Sequence, residues 1–177
     1  MGLSSNILWH QTTLDGLKGI LNEQGFFYSY SLESILSRES KNNLNVAFPM
    51  VSLCDLPFSE LNDYIKKYGG YLIGMKRTWG KSNGLAPVWY CDSESTILNA
   101  IIDRYNQIEV NIKNGKNFTI SREIFLYTLS HIKNYEGQLI AHDFNKYRFY
   151  DEREFRSVPR YKELKKLHPT ICLLYTS

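Results

Sequence analysis

Met50-Val51-Ser52-Leu53-Cys54, followed at once by Asp55-Leu56-Pro57-Phe58-Ser59, is the stretch on which the fold turns. Its first five residues are apolar or small and include a β-branched side chain, as in a short buried strand, and Pro57 cannot continue a hydrogen-bonded ladder. Ser59 then predicts a helix cap, with Leu61, Tyr64, Ile65 and Tyr68 as the apolar stripe and Gly69-Gly70 as the stop. A strand handing over directly to a helix makes the chain neither all-α nor all-β. The flanking segments extend that pattern in both directions.

Upstream, Thr12 predicts a cap for a helix carrying Leu14, Leu17, Ile20 and Leu21, with Gly25 as its end. Ser31 is read as the start of a shorter helix through Leu32, Ile35 and Leu36, with Asn42-Asn43 as a loop. Downstream, Tyr71–Met75 and Val88–Cys91 read as strands around a Gly/Asn-rich loop. Ser95 starts a long helix with Leu98, Ile101, Ile102 and Tyr105, and a second is expected from Ser121 to Lys133. Two late strands surround Tyr150 to Phe155. Helices and strands alternate without a regular βαβ beat, so the expected class is α+β, a single domain with a mixed or antiparallel sheet and flanking helices.

The chain has 177 residues, 21 Lys and Arg against 18 Asp and Glu, and is 43% apolar and 14% aromatic. That composition excludes disordered, collagen-like and coiled-coil classes. No run approaches the roughly 18 apolar residues of a membrane span, and a cytosolic protein with no membrane contact is expected. Cys54, Cys91 and Cys172 make no CxxC pair, and His10, His131, His142 and His168 have no metal-ligand spacing, so no metal site is expected. Gly80-Lys81-Ser82 resembles the end of a phosphate loop. Five residues rather than four separate Gly74 from Gly80, and Asn83-Gly84 breaks the helix that should follow.

Two clusters could carry chemistry. Trp9-His10-Gln11-Thr12 places a histidine where a strand meets a helix, a common mouth for ligand sites, although a histidine there also serves simply to bond backbone. In Glu152-Arg153-Glu154-Phe155-Arg156, strand alternation would put Glu152, Glu154 and Arg156 on one face, where Arg156 offsets two repelling carboxylates. A solvated, salt-bridged strand face is the simpler reading of that pattern. From Lys146 to Lys166 there are eight Lys/Arg and four Asp/Glu with aromatics interleaved, a stretch able to contact nucleic acid.

The ordered set of motifs Leu8-Trp9-His10-x-Thr12, Ala47-Phe48-Pro49-Met50-Val51-Ser52-Leu53-Cys54-Asp55-Leu56-Pro57-Phe58-Ser59, Tyr68-Gly69-x-Tyr71, Trp79-Gly80, Gly84-x-x-Pro87-Val88-x-Tyr90 and Tyr150-Asp151-Glu152-Arg153-Glu154-Phe155-Arg156 resembles the abortive-infection AbiGi family over about residues 6–160. Gln11 and Phe155 depart from the aromatic and the tryptophan common at those places. The resemblance implies bacterial phage defence, as the antitoxin of a system whose cognate toxin is nucleotidyltransferase-like. The order of His-x-Thr, a Ser-bearing strand and a late Glu-x-Glu is also similar to ADP-ribosyltransferase-like domains. That second likeness implies NAD as the bound nucleotide. His10, Thr12, Ser52, Tyr68 or Tyr71, and Arg156 would contact it, and Glu152 and Glu154 would be the catalytic carboxylates. Cys172-Leu173-Leu174-Tyr175-Thr176-Ser177 reads as the translation of a sequencing adapter, so native sequence is expected to stop near Ile171, with residues 6–171 as an AbiGi-like domain truncated at its C-terminus and the real protein continuing beyond it.

Overall fold

The computed structural model describes residues 6–37, 43–62, 65, 70–117, 119–139 and 144–160. Its centre is the strand read first, now longer: β3 spans Asn43–Cys54. The first half of β3 pairs antiparallel with β2, Ser29–Leu36, through eight register positions from Ser29–Met50 to Leu36–Asn43. The second half pairs with β10, Glu154–Ser157, with Glu154 opposite Cys54 and Arg156 opposite Ser52. On its far side β3 meets β1, Ile7–Thr12, at one ladder position, Trp9 opposite Cys54. Strand β1 pairs fully with β4, Tyr71–Lys76, and the short β5, Ala86–Pro87, closes the sheet beside β10. The six-stranded sheet is antiparallel at every pairing, in keeping with the expected α+β class.

The helix expected at Ser31 is therefore strand β2. Leu32, Ile35 and Leu36 fit a helical period as well as an extended one, and such short apolar segments are decided by the partner available. Here β3 supplies a continuous ladder. The first helix, α1 (Leu14–Glu23), is where the spacing puts it, but Thr13 rather than Thr12 caps it, accepting from Gly16 N at 3.1 Å. It ends on Gln24 in the left-handed region (φ 53°), one residue before Gly25. Ser59 lies inside a 3₁₀ turn, Phe58–Glu60, rather than at a helix cap; Leu61, Asn62 and Ile65 beyond it are helical as expected, and Tyr64 and Tyr68 lie outside the described residues. Between β4 and β5 a short helix, α2 (Arg77–Ser82), occupies half of the expected loop.

The long helix α3, Thr96–Lys113, has Ser95 as its cap, as read. Helix α4, Thr119–Leu129, stops short of the expected Lys133. Ile132–Asn134 is instead strand β7, parallel to β6 (Trp89–Cys91). A hairpin of β8 (Gly137–Leu139) and β9 (Phe144–Tyr147) leads into a 3₁₀ turn, Phe149–Glu152, before β10. Alternation along β3 sends Val46, Phe48 and Met50 against Leu98, Ile102 and Tyr105 of α3 and Leu126 and Leu129 of α4, the main core. Val51 and Leu53 point the other way, into a second cluster with Leu8, Leu85 and Phe155.

Trp9 explains one glycine. Its ring lies over Gly74, its register partner on β4, and its Nε1 donates to Leu56 O at 3.1 Å. A Cβ on Gly74 would come within 2.8 Å of that ring and 2.9 Å of the Ile7 side chain. Gly74→Ala is expected to cost about 1–3 kcal/mol by overpacking. A denaturation midpoint equal to wild type would refute this account of the residue.

Candidate functional site

The single ladder position shared by β1 and β3 leaves the two strands to diverge beyond Trp9 and Cys54. His10 spans the gap, its Nδ1 lying 2.9 Å from Ser52 O. A carbonyl only accepts, so Nδ1 carries the proton, and in the neutral ring Nε2 is an acceptor. Burial holds the His10 imidazole below its ordinary value, with the Ser52 bond opposing. The ring also packs edge-on against Phe26, centroids 5.0 Å apart.

A cavity of about 510 Å³ opens at this divergence, within the range of about 300–1,000 Å³ usual for small-ligand sites. His10 and Thr12 line it from β1, Ser52 from β3, and Glu152 and Glu154 from the late segment. Arg156 stands behind the wall, fully buried, bonded to Glu154. Tyr71 pairs with Thr12 in register but is 40% exposed and is not among the lining residues. Tyr68 lies outside the described residues.

Glu152 and Glu154 converge, but not by strand alternation. Glu152 ends the 3₁₀ turn, and Arg153 takes a left-handed conformation (φ 46°) before β10 begins at Glu154. A non-glycine residue held there costs about 1–2 kcal/mol, and such strain collects at functional sites. The solvated strand face is likewise overturned: Glu152, Glu154 and Arg156 are all buried. The sheet packs this face against α4, whose end supplies Ser130 O to Arg156 Nη1 at 2.8 Å.

Two residues complete the cluster that the sequence reading had not singled out. Lys133 of β7 donates to Glu152 Oε2 at 2.9 Å and to Glu154 Oε2 at 3.0 Å, and lies 4.9 Å from the centroid of Phe149. Glu33 of β2 accepts from Arg156 Nη2 at 2.6 Å. Asn134 sets their spacing. Its amide donates to Leu36 O and accepts from Leu36 N, at 2.9 and 2.8 Å, tying β7 to the end of β2. Reading 121–133 as one helix hid Lys133, and reading Ser31–Leu36 as a helix hid Glu33. The alternation Ser29-x-Ser31-x-Glu33 was the signal available for the latter, since all three line the cavity.

The charges respond to one another. Burial alone would raise the Glu154 carboxyl, but Lys133 and Arg156 overcome it and hold the group well below the usual carboxylate range. Burial would lower Lys133, yet Glu154, Glu152 and Glu33 push it well above its ordinary value. Glu33 goes the other way: burial raises it against the pull of Arg156 and Lys133. Glu154 accepts twice from Arg156 and once from Lys133, three of a carboxylate's roughly four acceptor sites, and the nearby Ser52 hydroxyl further favours its ionised form.

The basic stretch is largely spent on internal pairs where it is described. Arg156 is buried, Arg153 lies 3.6 Å from Glu60, Arg148 3.8 Å from Asp151 and Lys146 3.2 Å from Glu136. Residues 161–166 lie outside the described residues. Among the described residues no group of His, Cys, Asp and Glu has the arrangement of a metal site, and no helix is long and apolar enough to cross a membrane.

Residues 24–171 match the profile of a family described as "Putative abortive phage resistance protein AbiGi, antitoxin". His10 and Thr12 precede the matched region. Over 156 residues the chain is 24% identical to a protein of Lactococcus lactis subsp. cremoris named "Abortive phage resistance protein AbiGi", an alignment taking in 77% of this chain and 61% of that protein. The chain thus spans about 61% of the length of the curated relative it matches. No solved structure matches it.

Proposed function

The chain belongs to the AbiGi family of abortive phage resistance proteins, and from that premise we propose that its cavity binds NAD and transfers ADP-ribose from it to a nucleic acid or a protein. One observation carries the reading: His10 and Thr12, Ser52, and the Glu152/Glu154 pair come from three separated segments and line a single cavity. A neutral His10 offers Nε2 as acceptor to a ribose hydroxyl. NAD is the substrate here, and its bond between ribose C1′ and the nicotinamide nitrogen is the one that breaks. The bonding pair leaves with nicotinamide, which departs neutral, and positive charge develops on the ribose. A carboxylate fixed beside that carbon stabilises the charge, as in glycoside cleavage. The acceptor's nucleophile then bonds to C1′ and gives up its proton.

The test is incubation of the purified protein with adenylate-labelled NAD and bacterial lysate. Label transfer is expected, falling about a hundredfold or more in Glu152→Gln. Absence of transfer, or transfer undiminished in that variant, would sink the proposal.

The word antitoxin in the family description favours a second reading, a protein that binds and neutralises a cognate toxin. Tyr30 and Leu32, 50% and 62% exposed on the outer face of β2, offer an apolar surface for such a partner. Co-expression with the neighbouring gene product should yield a complex and relieve toxicity. Failure on both counts removes this reading.

A further inference from the structure

Five ionisable side chains among the described residues meet the floor of the cavity: Glu33 from β2, Lys133 from β7, Glu152 from the 3₁₀ turn, and Glu154 and Arg156 from β10. Three carboxylates face two cations. His10 of β1, the remaining titratable group lining the cavity, is neutral and adds nothing. Among the described residues the cluster therefore carries one net negative charge inside a largely buried site, a costly arrangement unless something positive completes it. The uncompensated member can be identified. Glu152 and Glu154 share Lys133, and Glu154 also holds two donors of Arg156, whereas Glu33 takes one outer donor of the same guanidinium.

The rings of Phe26 and Phe27 line the same space. Aromatic faces and an unbalanced carboxylate both favour a flat cation.

We infer that this cavity selects its ligand by positive charge, taking a cationic aromatic ring of the pyridinium class, and that Glu33 is the residue that sets the selection. The inference rests on the proposed NAD reading in one respect, since oxidised nicotinamide is such a ring and reduced nicotinamide is neutral. Its charge argument comes from this chain's own residues. With no cation bound, the imbalance favours the protonated Glu33 carboxyl, in keeping with burial raising that group. Binding a cation favours the ionised carboxylate, so cation and proton compete. Affinity for the cation should rise with pH, by at most about tenfold per unit while Glu33 is protonated, and level off once it is ionised. A neutral ring of the same shape should bind with little pH dependence.

The experiment compares nicotinamide with its ring-N-methylated cation by isothermal titration or chemical-shift perturbation between pH 5 and 8. Wild type should prefer the cation by about tenfold or more at pH 8, and that preference should shrink as pH is lowered. Glu33→Gln keeps the shape and an oxygen acceptor for Arg156 while balancing the charges, so both the preference and its pH dependence should largely disappear. Protonation of His10 would also repel a cation at low pH, but that effect would survive Glu33→Gln, which separates the two groups. Equal binding of the two rings, no binding of either, or a preference unchanged in Glu33→Gln overturns the inference. Should Glu33→Gln fail to fold, His10→Gln removes the competing proton instead: a cation preference that still falls as pH is lowered in that variant supports Glu33, and a pH-independent one overturns the inference. The outcome is independent of the transfer assay. Cation preference without label transfer would leave the charge inference standing and remove the enzyme reading, and transfer without cation preference would do the reverse.

Discussion

Replacing Arg156 by methionine is expected to cost about 3–5 kcal/mol of folding stability, measured as a shift in the denaturant midpoint or, if the loss exceeds the reserve, as failure to recover folded protein. Arg156 is wholly buried and its three guanidinium nitrogens all donate: Nε to Glu154 Oε1 at 2.7 Å, Nη2 to Glu154 Oε2 at 3.0 Å and to Glu33 Oε1 at 2.6 Å, and Nη1 to Ser130 O at 2.8 Å. Methionine fills a similar volume and supplies none of these bonds. Two carboxylates would be left sharing Lys133, and a buried carbonyl would lose a donor. Arg156→Lys keeps the charge but cannot reproduce a planar fork serving three groups, so it should fall between wild type and Arg156→Met. A methionine variant within about 1 kcal/mol of wild type would show that the network is energetically slack.

The second large effect is at Lys133. Lys133→Met removes the cation shared by Glu152 and Glu154 and leaves three carboxylates to Arg156, with an expected loss of about 3 kcal/mol at neutral pH. Adding Glu152→Gln should recover part of that loss, because the double variant buries one carboxylate fewer. A double-mutant cycle measures the coupling directly, and strict additivity would argue against it. The pH dependence has a definite sign. Glu154 sits below its ordinary value of 4.5 in the folded protein, so its contribution is complete above that value and is lost as pH falls through the depressed one. Lys133 sits above its ordinary 10.5, so its contribution is complete below that value and is lost as pH rises through the raised one. The gap between wild type and Lys133→Met should therefore narrow at both extremes. A gap constant from pH 3 to 11 would contradict this assignment.

Several elements were legible because their signals are local. Ser95 followed by Leu98, Ile102 and Tyr105 specifies both the start of α3 and its buried face, since cap and stripe lie within one helix. Met50–Cys54 reads as a strand from its own composition, and Gly74 and the strand around it follow from the short run Tyr71–Met75. The family resemblance was legible for a similar reason, resting on motifs in fixed order along the chain.

What the residues of Ser29–Leu36 become is not local. Their apolar positions satisfy two periods, and pairing with β3 chose the extended one. The same holds for Lys133, which a helical stripe would have absorbed had α4 not ended at Leu129.

By itself the sequence determined that the chain is α+β, where its long helix and central strand run, which family it belongs to, and that His10, Ser52 and the late Glu-x-Glu were the residues to watch. The tertiary structure alone decided that these residues share one cavity and that Glu33 and Lys133 join them, with one net negative charge left over among the described residues. Arg156 and Glu33 are 123 positions apart and Asn134 and Leu36 are 98 apart. Charge balance in a buried site is a sum over side chains that only the packing of separate strands brings together, and no periodicity along the chain records it.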